Sequence, residues 1–166
     1  AWTVTKGDSS VVVAVVDTGV DMDHPDLQGN FWINTDEITG DGIDNDKNGY
    51  IDDARGWDFI QNIPDPNPKV KTGYSEAAVN HGTFVAGLIS AVHDNGFGIK
   101  GITSKVKIMP LVVLDTTGYG GSSAVSKAID YAMANGADII NLSFGGSEYS
   151  TQLKNSIINA YNHGVL

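Results

Sequence analysis

The chain of 166 residues contains no cysteine. Disulfides and thiolate metal sites are excluded, so stability has to come from packing, hydrogen bonds or bound hard cations. That fits a cytosolic protein, or a secreted one stabilised by calcium. Basic residues are scarce: 10 Lys and Arg stand against 20 Asp and Glu, a net charge of −10. Nucleic acid, whose phosphates call for a basic face, is excluded as a partner. No apolar run approaches the ~20 residues of a membrane span, so no membrane association is expected. Neither a signal peptide nor an initiating methionine is present, and the chain is expected to be processed or excised. Its length suits one domain or part of one.

What is abundant is acid, concentrated in residues 17–65, which suggests bound cations rather than an evenly solvated surface. Residues 40–56 carry the densest part. Asp44, Asp46 and Asn48 alternate, Gly49 follows, and the Tyr50 carbonyl comes next. Oxygen ligands at positions 1, 3, 5 and 7 with glycine at 6 are the opening of a calcium loop. Position 12 should then be Glu but is Arg55, so closure falls to Asp52 or Asp53. Calcium is the expected cofactor, because so many adjacent carboxylates repel without a cation. Farther back, Asp21–Leu27 is a polar turn in which Asp26 is either a metal ligand or a turn cap. His24 precedes Pro25, which forces extended or turn geometry on it, so a structural role is expected.

The apolar residues give the scaffold. Val11–Val16 is an unbroken run, mostly β-branched, that reads as a strand buried on both faces. Asp17-Thr18-Gly19 follows at once. A carboxylate there is costly unless paired, though a turn cap explains Asp17 equally well from this stretch alone. Pro64, Pro66 and Pro68 make 61–76 an irregular loop. His81 then opens a helix with Val85, Leu88, Ile89 and Val92 on one stripe, ending near the glycine-rich 93–101. Val106–Leu114 is a second strand, Ser123 caps a helix stopped by Gly136, and Asp138–Ser143 is a third strand. Ser150 caps a last helix bearing Leu153, Ile157, Ile158 and Tyr161 on one face. Val165 and Leu166 begin a fourth strand.

Strands alternating with helices imply an α/β fold: a doubly wound parallel sheet with helices on both faces. In such a sheet the helix N-termini lie at the strands' carboxyl edge, where sites form. Asp17, His81, loop 115–121 and Ser143–Gly146 should therefore share one edge. A histidine at a helix N-terminus sits at the positive end of the helix dipole. If it must become charged in a reaction it needs a carboxylate, and Asp17 is available.

Three motifs together resemble the subtilisin-like serine proteases: Val15-Val16-Asp17-Thr18-Gly19, His81-Gly82-Thr83-Phe84-Val85-Ala86-Gly87 and Asn141-Leu142-Ser143-Phe144-Gly145-Gly146. The resemblance spans the whole chain. It implies that residues 1–166 are the N-terminal part of a single catalytic domain, with a calcium-loop insertion at about 40–56. It implies an endopeptidase using an Asp-His-Ser triad, with Asp17 as the orienting carboxylate and His81 as the general base. Gly118, Tyr119 and Gly120 resemble one wall that grips an extended peptide or protein substrate. Ser143, Phe144 and Gly145 resemble the other. Asp26 and Asn95 resemble ligands of a second calcium site, beside Asp44, Asp46, Asn48, Tyr50 and Asp53 in the first. An inhibitory propeptide during maturation and a secreted, extracellular location are further implications.

Two departures stand out. Phe84 occupies a position where many members carry a second histidine outside the triad, which reads as packing. The family's nucleophilic serine and oxyanion-hole asparagine have no counterpart here and are expected on a C-terminal remainder of the domain. Ser122, Ser123 and Ser143 are not substitutes. Taken alone, the chain is expected to be truncated within its sheet and inactive. The alternative is a calcium-stabilised peptide-binding module or inactive relative. A nucleotide-binding or phosphoacceptor domain is disfavoured, because Gly118-Tyr119-Gly120-Gly121 lacks the pattern of a phosphate loop.

Overall fold

The computed structural model describes residues 2–71, 73 and 75–166; Ala1, and Thr72 and Tyr74 of the expected irregular loop, lie outside the described residues. Among the described residues there are four strands: β1 (Val12–Asp17), β2 (Trp57–Asp58), β3 (Lys107–Val112) and β4 (Ile139–Asn141). They form one parallel sheet in the order β2-β3-β1-β4. The helices are α1 (Glu76–Val79), α2 (His81–Ser90), α3 (Ser122–Ala134) and α4 (Thr151–Asn162).

The strand residues divide by parity, as the two-residue repeat demands. Ala14 and Val16 of β1, with Met109 and Leu111 of β3, pack under Val125, Ala128, Ile129 and Ala132 of α3 and Ala160 of α4. Val13 and Val15, with Ile108, pack on the opposite side against Ala86 of α2, Leu27 and Phe31. The sheet is thus covered on both faces, and the expected α/β architecture is present. No strand is assigned at Val165-Leu166, where one is expected, but Leu166 bonds to the β4 segment: its N–H donates to the Asp138 carbonyl at 3.0 Å, and its carbonyl accepts from the Ile140 N–H at 2.8 Å.

Several local expectations change. The buried stripe of α2 is Gly82, Ala86 and Ser90, while Leu88 is 60% exposed. Small residues bring this helix close to the sheet, and Val85 and Ile89 only flank the contact. In α4 the buried residues are Ser156 and Ala160; Ile157, Ile158 and Tyr161 are exposed. Helix α3 is capped by Gly121 rather than Ser123, whose place is the second helical position. Ser150 does cap α4, its hydroxyl accepting from the Leu153 N–H at 3.2 Å. β2 and α1 carry no periodic signal, being two and four residues long.

Candidate active site

Asp17 is the last residue of β1 and has no exposed surface. Its Oδ1 accepts from the Thr18 N–H at 2.7 Å. His81 opens α2, and its Nδ1 lies 2.9 Å from both Asp17 carboxylate oxygens. The two residues are 64 apart in sequence. The imidazole is about half exposed, and its Nε2 has no protein partner among the described residues.

Neighbouring motif residues hold this pair in place. The Thr18 hydroxyl donates to the Val79 carbonyl at 2.8 Å and accepts from the Gly82 N–H at 3.1 Å. It therefore joins the turn after β1 to the first turn of α2. The Thr83 hydroxyl accepts from the Asp21 N–H at 3.0 Å. Gly19 has a φ of +105°, and Pro66 and Asn67 crowd the space where a side chain would stand. Gly82 is needed for another reason: a Cβ there would overlap the Gly19 carbonyl and stand 3.0 Å from Asp17 Cβ. Gly82→Ala should push α2 away from Asp17 at a cost of about 1–3 kcal/mol. The expected result is a lower melting temperature and loss of the hydrogen-bonded Nδ1 proton resonance of His81. A variant keeping that resonance would show that the close approach is dispensable.

The other residues expected at this edge are there. Asp115–Gly121 follows β3: the Asp115 N–H donates to the Tyr119 carbonyl at 2.8 Å, and Tyr119 is 78% exposed. Ser143 and Gly145, after β4, are exposed, and Phe144 is half-buried. The Asn141 amide donates to the Ser143 hydroxyl at 2.8 Å. A buried carboxylate thus fixes an imidazole at the carboxyl ends of the parallel strands, the same edge from which the segments after β3 and β4 emerge.

The acidic loop folds around its own backbone. Glu37, Asp46 and Asp53 each bring one carboxylate oxygen within 4.8 Å of the others. Glu37 precedes the loop and lies outside the pattern of the calcium-loop template. Its carboxylate also accepts from the N–H groups of Asn45 at 2.6 Å, Asp46 at 3.1 Å and Asp52 at 3.0 Å. Asp44 is turned to the N–H groups of Asn48 and Gly49. The Asn48 amide bridges Asp46 and Asp53, and its carbonyl accepts from the Tyr50 N–H. Asp53 is fully buried and receives the Tyr131 hydroxyl at 2.6 Å. Burial pushes its carboxyl above the ordinary range, against hydrogen bonds from Tyr131, Asn48 and Asn34 that pull it down; Asp46 adds to the rise. Burial, then Asp53 itself, pushes the Tyr131 phenol up, so it remains a donor. Three clustered carboxylates, one penalised for its charge, fit a hard cation. Asp26, 2% exposed, accepts from the Asn95 amide at 2.7 Å and the Ile99 N–H at 2.9 Å. His24 accepts from the Asp26 N–H at 3.2 Å, the structural role expected of it.

Fold and site together define an α/β protein with a carboxylate-oriented histidine at the carboxyl edge of a parallel sheet. Residues 8–166 match the model of the subtilase family, and the chain belongs to that family. It is 37% identical over 164 residues to a thermophilic serine proteinase of Bacillus sp. strain AK1, covering 99% of this chain and 33% of the relative. It is 35% identical to thermitase of Thermoactinomyces vulgaris, covering 99% of this chain and 47% of thermitase. A solved structure of fervidolysin from Fervidobacterium pennivorans, described as a keratinolytic enzyme related to subtilisin, superposes with a TM-score of 0.71 at 32% identity. That match covers 99% of this chain and 21% of fervidolysin. The chain thus spans less than half the length of each of these relatives.

Proposed function

We propose that this chain supplies the Asp-His half of the catalytic site of a serine endopeptidase. The supporting observation is the His81 Nδ1 contact with both Asp17 oxygens at 2.9 Å, at the edge where the family motifs converge. Asp17 holds the tautomer with the proton on Nδ1, which leaves the Nε2 lone pair facing solvent. Nε2 takes the proton of a serine hydroxyl as it attacks the scissile carbonyl, then returns a proton to the leaving amine. Asp17 stabilises the imidazolium formed in between. The serine and an oxyanion-hole asparagine come from a C-terminal remainder of the same catalytic domain. By itself the 166-residue chain is inactive.

Gly118, Tyr119 and Gly120 on one side, and Ser143, Phe144 and Gly145 on the other, hold an extended peptide by main-chain pairing. Glu37, Asp46 and Asp53 form the centre of a calcium site, with Asp44, Asn48 and the Tyr50 carbonyl around it. Asp26 and Asn95 contribute to a second site. The ion's role in both is to stabilise the fold. An extracellular location and an inhibitory propeptide complete the reading.

Treating the full-length protein with a fluorophosphonate probe tests it. Labelling that His81→Ala abolishes is the expected result. A full-length protein that binds peptide but never takes the label would instead be the inactive, peptide-gripping relative.

A further inference from the structure

Three Asn-Gly pairs occur in the chain: Asn48-Gly49, Asn95-Gly96 and Asn135-Gly136. Such a pair can react within itself. The glycine nitrogen attacks the asparagine side-chain carbonyl, and a residue without a Cβ leaves that approach open. In a folded chain the reaction needs a glycine N–H that is free and a side-chain carbonyl turned back towards it. The three pairs differ in both respects.

The Gly49 N–H donates to Asp44 Oδ2 at 2.9 Å, and Asn48 is fixed by bonds to Asp46, Asp53 and the Tyr50 N–H. Asn135, half-buried, follows α3. Its amide donates to the Tyr131 carbonyl at 3.0 Å, and the Gly136 N–H donates to the Met133 carbonyl at 3.4 Å. Asn95 and Gly96 lie in the exposed loop after α2. The Gly96 N–H has no partner among the described residues, and nothing stands within 4 Å of where a Cβ would be. Asn95 Oδ1 accepts from the Phe97 N–H at 3.1 Å. This Asx turn folds the side chain over the peptide that follows it and polarises its carbonyl. Asn95 Nδ2 donates to Asp26 Oδ1 at 2.7 Å, which holds the amide one way round.

We propose that Asn95 is a site of spontaneous deamidation, and that the fold suppresses the same reaction at Asn48 and Asn135. The Gly96 nitrogen gives up its proton to solvent and bonds to Asn95 Cγ. The bond from Cγ to Nδ2 breaks, and the nitrogen leaves as ammonia after taking a proton back from solvent. Water then opens the cyclic imide. Cleavage between Cγ and the Gly96 nitrogen leaves aspartate at position 95; cleavage at the main-chain carbonyl leaves isoaspartate, with the chain running through Cγ.

The contact with Asp26 is what changes. A side chain that donated to this buried carboxylate becomes a second carboxylate facing it, and like charges at that range repel. Asp26 also accepts from the Ile99 N–H at 2.9 Å, so repulsion there loosens residues 95–99 from Asp26.

The reaction needs no bound ion, so it is measured in chelator, well below the melting temperature in that buffer. Full-length protein carrying His81→Ala, which prevents self-digestion, is held at mildly alkaline pH and then mapped by mass spectrometry of its peptides. Asn95 should convert at least about tenfold faster than Asn48 or Asn135, which react only when the bonds at their glycines open. In denaturant the three pairs should react at similar rates, because no bond then distinguishes them. The converted protein, separated by anion exchange, should exchange its Ile99 amide faster than the parent. An Asn95 that converts no faster than Asn48 in the folded protein would overturn the proposal. So would the same order of rates in denaturant, which would assign the difference to local sequence rather than to the fold.

Discussion

Asp17→Asn in the full-length protein should lower kcat by about 10⁴, the scale set by the same change in another serine protease triad, while barely moving the melting temperature. The two residues are nearly isosteric, and an asparagine carbonyl can still accept from the Thr18 N–H that now donates to Oδ1 at 2.7 Å. What changes is the side facing His81. Nδ1 now lies 2.9 Å from both carboxylate oxygens and donates its proton there. An amide directed at the ring presents an N–H instead. The imidazole then accepts at Nδ1 and carries its proton on Nε2, where it has no lone pair for a serine hydroxyl. The stabilising charge opposite the imidazolium is lost as well. Removing His81 should cost more, on the order of 10⁶ in kcat, and the double variant little beyond that, because the two residues act as one unit. Retention of kcat within tenfold in Asp17→Asn would exclude Asp17 as the orienting group.

The second large effect concerns calcium. At free calcium a thousandfold above Kd, binding to the folded state alone adds about 4 kcal/mol of stability. At 2–4 °C per kcal/mol for a domain of this size, chelation should lower the melting temperature by about 8–16 °C. Asp46→Ala should remove most of that difference. The pH dependence should change sign with the ion. Without calcium, burial holds the Asp53 carboxyl above its ordinary value of 3.8, so the folded state binds that proton more tightly than the unfolded chain. Asp53 then makes the fold less stable as pH rises from the ordinary value through the raised one. With calcium present, the ion displaces the proton and stability rises over the same window. A melting curve that ignores chelator would sink the calcium reading.

The residues that the sequence disclosed best are those set by local rules. A β-branched run stops at Asp17, a helix starts at His81, and parallel topology brings strand ends and helix starts to one edge. Glu37 was invisible for the opposite reason. It lies before the acidic loop and meets Asp46 and Asp53 only after the chain has curled back. The loop template looks for a closing acid at its twelfth position and has no place for one that comes earlier. Helix α2 misleads in a different way. Hydrophobic periodicity assumes that large side chains are buried, but this helix approaches the sheet through Gly82, Ala86 and Ser90. Close backbone contact selects small residues, which carry little hydrophobic signal.

The parallel sheet has a kinetic consequence. Val12 pairs with Lys107 and Asp17 with Val112, so the ladder that buries Asp17 forms only after a very long stretch of chain has been closed. Closure entropy grows slowly with length, but it is spent before any contact repays it, and topologies of this kind fold slowly. Within that stretch, the Glu37 carboxylate accepts from the Asp52 N–H, and the Lys69 ammonium reaches back to Asp65 and lies 4.0 Å from Asp58. Each tie shortens the span still to be searched. A carboxylate that gathers backbone N–H groups in one case and a tethered ammonium in the other therefore act on the rate at which Asp17 and His81 are brought together as well as on the persistence of their contact.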